Sequence, residues 1–368
     1  MNKVLLIEPV LAHYRKDVFQ TFYDSNDFNF EIIAGRSYQG IQSLEYSNSL
    51  FDHTQLKVFS HTFYYLKGSV KYALSKKPDV IICTGVDFHL LHTIILFFIY
   101  RIILRKRFYW WSHAATGHQR KFGFLIRKFF YRSSNGIFSY NRAGKENLLL
   151  MGVKDQKIVV VNNSINKEDY GYLNHDIYNK TTGNIFTILY CGRVTKAKKI
   201  DILIKALCLL KEKNAFDFKC YIIGDGDLEK IKKLAKELNI LEKIDFVGAK
   251  YGKQAHPYFL DSDLFVYPGG IGLSALHSLS FGIPVITTDN LSLHFPEFEL
   301  IKPGFNGDLF KDNSFMDLAN KIVEWRNNLT KSREIYLNNC IQQINELGYL
   351  PDKMSFKVLD FLRSELSI

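Results

Sequence analysis

Cysteine is sparse in this chain of 368 residues and forms no recognisable pattern. The five cysteines are scattered, with no Cys-x-x-Cys pair and no cluster of cysteine with histidine. The sequence therefore predicts neither a disulfide framework nor a zinc site, and it suits a reducing cytoplasm. With 47% hydrophobic residues, the chain is long enough for two α/β domains with full cores.

Long hydrophobic runs and several common catalytic motifs are also absent. The apolar run from Thr93 to Tyr100 is far shorter than the roughly 20 residues of a transmembrane helix. The apolar run at the amino terminus ends at Glu8, which predicts a first strand and not a targeting segment. There is no Walker loop, no H-E-x-x-H and no G-x-S-x-G, so the common NTPase, zinc-protease and hydrolase classes are excluded.

Acidic residues are missing from residues 88–145, a window that holds eleven lysines and arginines. Outside this basic apolar region the charges balance, so the region carries the whole net charge of +11. Its cations alternate with Ile, Phe and Tyr, which predicts adsorption to an anionic membrane surface. A buried crossover helix with a solvated basic end is the alternative. No nucleic-acid partner is expected, because no DNA- or RNA-binding motif is present.

Strand-like and helix-like segments alternate along the chain, which predicts an α/β fold with parallel sheets. The predicted strands of the first half are 3–7, 29–34, 79–83, 108–112, 136–138 and 157–161. Those of the second half are 186–191, 219–223, 244–247, 264–267 and 285–287. A polar stretch over 162–184 separates the halves. We predict Rossmann-like domains over 1–165 and 183–345, and a last helix over 346–368 that returns to the first domain.

The segment 263–288 combines a strand, a glycine turn, a helix and a second strand. Such a turn presents backbone N–H groups and a helix N-terminus at one point, which suits a diphosphate. Its sequence, DLFVYPGGIGLSALHSLSFGIPVITT, resembles the donor-site motif of retaining nucleotide-sugar glycosyltransferases of family 4 (group 1), which have the GT-B fold. The G-F-G-L core of that motif is matched by Gly270, Ile271, Gly272 and Leu273. Ser274 follows the core directly.

The two glutamates that usually flank this motif are replaced by Gly269 and His277. In the family the first glutamate contacts the transferred sugar and the second contacts the ribose. The resemblance therefore places Gly269 and His277 in the donor site, as a Gly…His variant of the two-glutamate motif. A ring nitrogen of His277 can still bind ribose hydroxyls. The alternative for His277 is ordinary packing within its helix.

A second motif follows the strand at 186–191, where Gly192-Arg193 and Lys198 resemble the family's G-R-L-x-x-x-K-G. The resemblance implies that Arg193 and Lys198 hold the donor diphosphate and stabilise the charge that builds on it as it leaves. Lys199 stands where the family has the last glycine. The alternative is a solvated basic loop. Gly224 falls on the family's G-x-G turn, at the rim of the donor cleft.

Two further elements resemble the family more loosely. Glu297 lies in a Pro-Glu pair before the G-x-N-G loop at 304–307, and it either supplies the acidic group that position 269 does not have or is a surface carboxylate. In the first half, the resemblance places His113 against the donor sugar. On the acceptor side it places His13, Arg15 and Asp87.

These motifs predict a retaining glycosyltransferase of the GT-B fold, with two Rossmann-like domains facing across a cleft. The first domain would face the acceptor and the membrane, and the second would bind the nucleoside-diphosphate sugar. The expected acceptor is a hydroxyl of a lipid-linked surface glycan, and the expected location is the inner face of the plasma membrane. Two D-x-D pairs, 225–227 and 261–263, match the pattern of metal-dependent sugar transferases. No metal or other cofactor is expected, because no third carboxylate accompanies either pair. The alternatives are a non-catalytic nucleotide-sugar-binding subunit and a sugar epimerase of the same fold.

Overall fold

The computed structural model describes residues 1–38, 41–44, 49–58, 61–86, 88–114, 121–177 and 185–367. The chain forms two compact units. The first comprises Met1–Asn166 together with Pro351–Ile368, and the second comprises Lys167–Leu350.

The first unit contains eleven strands among its described residues. They are β1 (Asn2–Glu8), β2 (Phe28–Gly35), β3 (Ser37–Tyr38), β4 (Ile41–Gln42), β5 (Ser49–Phe51), β6 (His53–Val58), β7 (His61–Leu66), β8 (Val80–Thr84), β9 (Arg107–Ser112), β10 (Gly136–Ser139) and β11 (Ile158–Val160). Seven of them form a parallel sheet in the order β11-β10-β9-β8-β1-β2-β5. The middle residues of its central strands are apolar and are packed on both faces, as expected for a sheet covered by helices.

Helices cover both faces of this sheet. They are α1 (Lys16–Tyr23), α2 (Ser69–Lys76), α3 (Leu91–Leu96), α4 (Lys121–Ser133) and α5 (Arg142–Leu150). α3 continues as a π-helix over Phe97–Ile103. No helix within the described part of the chain is both long and apolar enough to cross a membrane.

The second unit is built on a six-stranded parallel sheet. Its strands are β12 (Phe186–Cys191), β13 (Phe218–Ile223), β14 (Ile244–Gly248), β15 (Leu264–Tyr267), β16 (Val285–Thr288) and β17 (Gly307–Phe310). Its helices are α6 (Gly171–Asn174), α7 (Ile200–Glu212), α8 (Leu228–Glu237), α9 (His256–Asp261), α10 (Leu273–Ser280) and α11 (Phe315–Leu347). The strand order is β14-β13-β12-β15-β16-β17.

A last helix, α12 (Pro351–Leu366), completes the first unit. Gly348, with a φ of 75°, ends α11 in the left-handed conformation, which glycine adopts without steric cost. Met354 and Val358 of α12 are buried in the same core as Val18 of α1. These features confirm an α/β chain with two Rossmann-like sheets and a final helix that packs back onto the N-terminal domain.

Candidate active site

The sheet of the second unit reverses its winding direction at β12. The chain runs from β12 outward through β13 and β14, and then returns to add β15 on the other side of β12. The loops that leave β12 and β15 therefore separate at this point, and such switch points form the ligand crevices of open α/β sheets. Gly192 and Arg193 directly follow β12, while Gly269 and Gly270 follow β15. The fold thus brings the two predicted donor motifs to the same edge.

Two glycines allow the loops at this edge to approach closely. A Cβ atom added to Gly192 would lie 2.8 Å from the hydroxyl of Tyr267. Gly224 follows β13 with a φ of 150°, and a Cβ atom there would overlap the carbonyl oxygen of Gly192. Any larger residue would push these loops apart. Close backbone packing therefore requires the predicted Gly224, whereas the predicted Gly192 leaves space for the side chain of Tyr267.

Arg193 and Lys198 are two cations that no carboxylate neutralises within the described ranges. The Nζ of Lys198 donates to the carbonyl oxygen of Gly270 at 2.6 Å and lies 5.0 Å from the ring centroid of Tyr267. Burial, and then the charge of Arg193, lower the pKa of Lys198. The Arg193 side chain is exposed, and its carbonyl oxygen accepts from Tyr190 at 2.9 Å. An anion that binds here would relieve the repulsion between the two cations.

Lys199 occupies the position where the family motif has glycine. It adopts a left-handed conformation with a φ of 52° and a ψ of 37°, the conformation for which glycine is usually selected. Its Nζ pairs with Asp312 at 2.5 Å. The backbone shape of the motif is thus kept despite the substitution. The charge of Lys199 is already balanced, unlike that of Lys198.

The loop 268–272 leads directly into α10. Gly272 is the N-cap residue, Leu273 begins the helix and the half-buried Ser274 lies in its first turn. The N-terminus of α10 carries unsatisfied N–H groups and partial positive charge, which suit a phosphate. The backbone N–H of Ile271 was predicted to be available to the donor phosphate. Instead it donates to Nδ1 of His294 at 3.2 Å. Sequence reasoning missed His294, although it lies six residues after the end of β16.

No room exists for a side chain at Gly269. A Cβ atom there would lie 2.5 Å from the carbonyl oxygen of Ala197 and 2.7 Å from the Cα of Lys198. Both atoms belong to the backbone of the 3-10 turn Lys196–Lys198. The turn that carries the predicted phosphate lysine therefore lies in the space that a glutamate at 269 would need.

His277 packs into an aromatic cluster. Its ring centroid lies 4.3 Å from that of Phe259, 5.5 Å from that of Phe281 and 6.0 Å from that of His256. Nε2 is buried and has no hydrogen-bond partner in the described structure. Burial, with a smaller effect of His256, lowers the pKa of His277 to about 3. The imidazole is therefore neutral at physiological pH, and these contacts favour the packing alternative.

Glu297 is almost completely buried and does not lie at the surface. It belongs to the 3-10 turn Pro296–Leu300 and is only 2% exposed. Its Oε2 would lie 3.4 Å from a Cβ atom added to Gly272, so the carboxylate is beside the start of α10. The surface alternative for Glu297 is therefore wrong, while its role toward the donor stays a prediction.

The first unit has its own switch point between β1 and β8, where a buried polar cluster lies. Arg15 donates to Tyr140 at 2.8 Å and to Asn163 at 3.2 Å. Glu8, which the sequence reasoning took only as a strand end, accepts from Thr84 at 2.6 Å. Burial raises the pKa of Glu8, and Arg15 and Thr84 oppose this.

His113 belongs to the same edge because it directly follows β9. Its ring stacks on Tyr140 with a centroid distance of 4.2 Å. Desolvation of the imidazole, and then the charge of Arg15, lower the pKa of His113 to about 4, although the residue as a whole is exposed. His13 is exposed, and its carbonyl oxygen accepts from Asn166 at 3.0 Å. Asp87 lies outside the described residues.

The carboxylates of the D-x-D pairs contact basic groups of the second unit. Asp261 pairs with Lys219 at 2.7 Å, and Asp227 pairs with Lys230 at 3.3 Å. Asp263 accepts from the backbone N–H of Thr187 at 2.6 Å and pairs with Arg333. Over the described ranges, no group of three or more His, Cys, Asp or Glu side chains could hold a metal ion. Independence from metal stays a prediction.

Residues 177–342 match the family model described as Glycosyl transferases group 1. The matched stretch contains Arg193, Lys198, the loop 268–272 and α10. The chain is a glycosyltransferase, and its residues 177–342 are similar to group 1 of these enzymes. As such it uses a nucleotide sugar.

This glycosyltransferase is 26% identical over 279 residues to the lipopolysaccharide 1,6-galactosyltransferase of Escherichia coli, covering 68% of the present chain and 69% of the relative. It is 30% and 27% identical to two uncharacterized glycosyltransferases of Methanocaldococcus jannaschii, of which it spans 44% and 56%.

Two solved structures show the same fold over nearly the whole chain. A glycosyltransferase from Rickettsia africae superposes with a TM-score of 0.71 at 16% identity, covering 99% of this chain and 98% of that one. HepE of Anabaena, solved in complex with UDP, superposes with a TM-score of 0.71 at 14% identity, covering 99% and 100%. These similarities confirm the predicted GT-B fold for the glycosyltransferase.

Proposed function

We propose that this glycosyltransferase moves a sugar, with retention of anomeric configuration, from a nucleoside-diphosphate sugar to a hydroxyl of a lipid-linked surface glycan intermediate. The bond between the anomeric carbon and the diphosphate oxygen breaks, and a bond to the acceptor oxygen forms on the same face. The acceptor proton passes to the departing diphosphate, so no dedicated carboxylate base is needed. We propose that protein cations take the place of a metal ion at the leaving group. Arg193 and Lys198 stabilise the negative charge of the leaving group.

The observation that carries this proposal is the pair of unneutralised cations at the switch point. Lys199, next to Lys198, already has a carboxylate partner, whereas the recorded partners of the Lys198 ammonium are uncharged: the carbonyl group of Gly270 and the rings of Tyr267 and Phe295. Burial lowers the pKa of Lys198 most, and the positive charge of Arg193 lowers it further, so the two charges oppose each other. A diphosphate between them and the N-terminus of α10 would replace repulsion with attraction.

The acceptor-side groups of the proposal belong to the first unit. His13, Arg15 and Asp87 are proposed to contact the acceptor, and His113 is proposed to contact the donor sugar. Their support is that Arg15 and His113 lie together at the carboxyl edge of β1 and β9, where His113 is neutral at physiological pH. A neutral imidazole can both donate to and accept from sugar hydroxyls. The name of the Escherichia coli relative supports a surface glycan as product.

The test is a screen of UDP-, GDP- and CMP-sugars for thermal stabilisation of the purified protein. A nucleotide sugar present at about 100 times its Kd is expected to stabilise the folded state by about 2.7 kcal/mol, which raises Tm by several degrees. The stabilising compound is then incubated with lipid-linked acceptor extracts, and nucleoside diphosphate release is measured. Absence of stabilisation by every nucleotide sugar would refute the proposal. EDTA-treated protein is expected to retain its activity.

A membrane-docking surface is the second part of the proposal, within the basic apolar region 88–145. Its apolar patch consists of Ile95, Phe98, Ile102, Leu125 and Phe129, which are between 41% and 61% exposed. Phe97 and Phe129 lie 6.3 Å apart, so the π-helix and α4 are adjacent. Cations of the region flank the patch, including Lys128 and Arg132. Exposed apolar side chains among lysines and arginines suit an anionic membrane surface.

Replacing Leu125 by glutamine is expected to weaken binding to anionic vesicles, because its 61% exposed side chain would no longer enter the acyl boundary. The measurement is flotation with vesicles of phosphatidylethanolamine that contain or lack phosphatidylglycerol. We expect about fivefold less bound protein for Leu125→Gln than for wild type. The matched control is Ile335→Gln in the second unit, where the isoleucine is 58% exposed. Equal flotation with and without anionic lipid would contradict the proposal.

A further inference from the structure

His294 joins two loops at the edge of the sheet where the donor motifs meet. Its Nε2 lies 2.9 Å from the carbonyl oxygen of Thr288, and its Nδ1 lies 3.2 Å from the backbone nitrogen of Ile271. A carbonyl oxygen can only accept a hydrogen bond, and a backbone N–H can only donate one. The proton must therefore be on Nε2, and Nδ1 must carry a lone pair. These two bonds fix both the protonation state and the tautomer of His294.

The bond to Ile271 is part of a wider clamp on the loop 268–272. The backbone N–H of Phe295 donates to the carbonyl oxygen of Ile271 at 2.9 Å. Both backbone groups of Ile271 are therefore held by two consecutive residues, His294 and Phe295. The imidazole is itself fixed by stacking on Phe298, with centroids 4.1 Å apart and planes 6° from parallel. From the other side, Lys198 holds the carbonyl oxygen of Gly270.

We propose that His294 is a positioning residue for the nucleotide-sugar site, whose neutral imidazole holds the loop 268–272 in the shape that receives the donor diphosphate. The inference rests on the proposed function. Because the N–H of Ile271 is occupied, this group does not bind phosphate. The first turn of α10, which begins at Leu273, then supplies the backbone N–H groups for the diphosphate.

The clamp depends on the protonation state of His294. Protonated Nδ1 would point an N–H at the N–H of Ile271, so the bond would be lost. The charged groups that face the imidazole are Lys198 and Asp312. Burial lowers the pKa of His294 below its usual 6.5, and the bond to Thr288 and the charge of Asp312 oppose this lowering. The neutral form therefore persists in the folded protein at pH 6.5, and donor binding is expected to weaken only at lower pH.

Two substitutions test the two hydrogen bonds of His294 one at a time. Asparagine places its Oδ1 near the position of Nδ1 and can still accept from Ile271, whereas glutamine can reach Thr288 but leaves Ile271 without an acceptor. We expect His294→Gln to raise the Kd for UDP or GDP, whichever binds the wild type, by about tenfold. His294→Asn is expected to stay within about threefold of wild type. The KM for the nucleotide sugar should follow the Kd, while kcat changes less.

Amide hydrogen exchange of Ile271 gives a readout that needs no ligand. The Ile271 amide is expected to be protected in wild type and His294→Asn and to exchange at least about tenfold faster in His294→Gln, with similar Tm values for all three. Equal exchange in the three proteins would overturn the inference. If exchange behaves as expected but neither nucleotide binds wild type, the clamp stands and the proposed function fails.

A pH series completes the test. At a pH below the pKa of His294, wild type is expected to lose nucleotide affinity relative to His294→Asn, because asparagine does not titrate. Comparing the two proteins at each pH cancels the titration of the nucleotide phosphates. A constant ratio of the two Kd values from pH 7.5 to the acid limit of folding would contradict the proposed role of the neutral imidazole.

Discussion

Replacing Arg193 by alanine, or Lys198 by methionine, is expected to lower kcat by about 10²–10³-fold with little change in Tm. Each substitution removes one of the two cations proposed to stabilise the departing diphosphate, and loss of a single such group commonly has an effect of this size. Arg193 is exposed, so its removal leaves no cavity. Methionine at 198 keeps an apolar stem over the ring of Tyr267, against which the lysine ammonium lies at 5.0 Å. Steady-state release of nucleoside diphosphate measures the loss.

The matched control for both variants is Lys196→Ala. Lys196 belongs to the same 3-10 turn and is exposed, and within the described part of the chain its side chain makes no recorded hydrogen bond or ion pair. Its removal is expected to change kcat by less than about threefold. If Lys196→Ala and Lys198→Met lowered kcat equally, the basic turn would act through its general charge, and the assigned role of Lys198 would be incorrect.

Restoring the usual glutamate at position 269 is expected to inactivate the enzyme instead of improving it. A Cβ atom at 269 would lie 2.5 Å from the carbonyl oxygen of Ala197, within the backbone of the turn that positions Lys198. That turn would have to move, and overpacking of this kind typically costs about 1–3 kcal/mol. We expect Gly269→Glu to lower kcat/KM for the nucleotide sugar by at least about 100-fold and to lower Tm. Gly269→Ala should have a smaller effect in the same direction.

The control for Gly269→Ala is Gly123→Ala on α4. The nearest described atom to a Cβ at Gly123 is Nη1 of Arg127, at the ordinary distance of 3.8 Å. Alanine there should leave kcat unchanged and Tm equal or slightly higher, because alanine favours helices over glycine. An active Gly269→Glu variant would show that the turn Lys196–Lys198 is displaced easily. In that case glycine at 269 would be tolerated by this site and not required by it.

Much of the fold could be predicted because the central strands are short, apolar and separated by helices. The predicted strands 186–191 and 264–267 match β12 and β15 at both ends. The hairpin of β6 and β7 was missed, since its mixture of polar and aromatic residues shows no clear alternation. Strand β17 was also missed, because it has only four residues and begins at Gly307 within a predicted loop.

The candidate site was predictable where family motifs set the backbone shape, and less so where single side chains decide the contacts. In the sequence, Lys199 departs from the glycine of the motif. Its left-handed backbone nevertheless keeps the conformation for which that glycine is usually selected. The contacts of His277 with Phe259 and Phe281 join residues from different elements, so no local pattern indicates them. The same is true of His294, whose partners lie on β16 and the loop after β15. Only tertiary structure reveals such contacts.

The surroundings of Gly269 and Glu297 bear on how the altered donor motif should be interpreted. The space that a glutamate at 269 would need is filled by the backbone of the turn Lys196–Lys198, which we propose to bind phosphate, and the buried carboxylate of Glu297 lies beside the start of α10. Both features, the filled space at Gly269 and the buried carboxylate of Glu297, belong to the packing around the loop 268–272 in the second unit. We therefore propose that the altered motif is a donor site with different sugar contacts, and we expect its donor preference to differ from that of relatives with two glutamates.

The most direct test of this account is a crystal structure of the protein with the nucleoside diphosphate that stabilises it most. The account predicts diphosphate oxygens within hydrogen-bond distance of Arg193, of Nζ of Lys198 and of backbone N–H groups in the first turn of α10. It also predicts that Ile271 remains bonded to His294. A diphosphate that makes no contact with Lys198 and lies away from α10 would contradict the central claim that this edge of the second unit is the donor site.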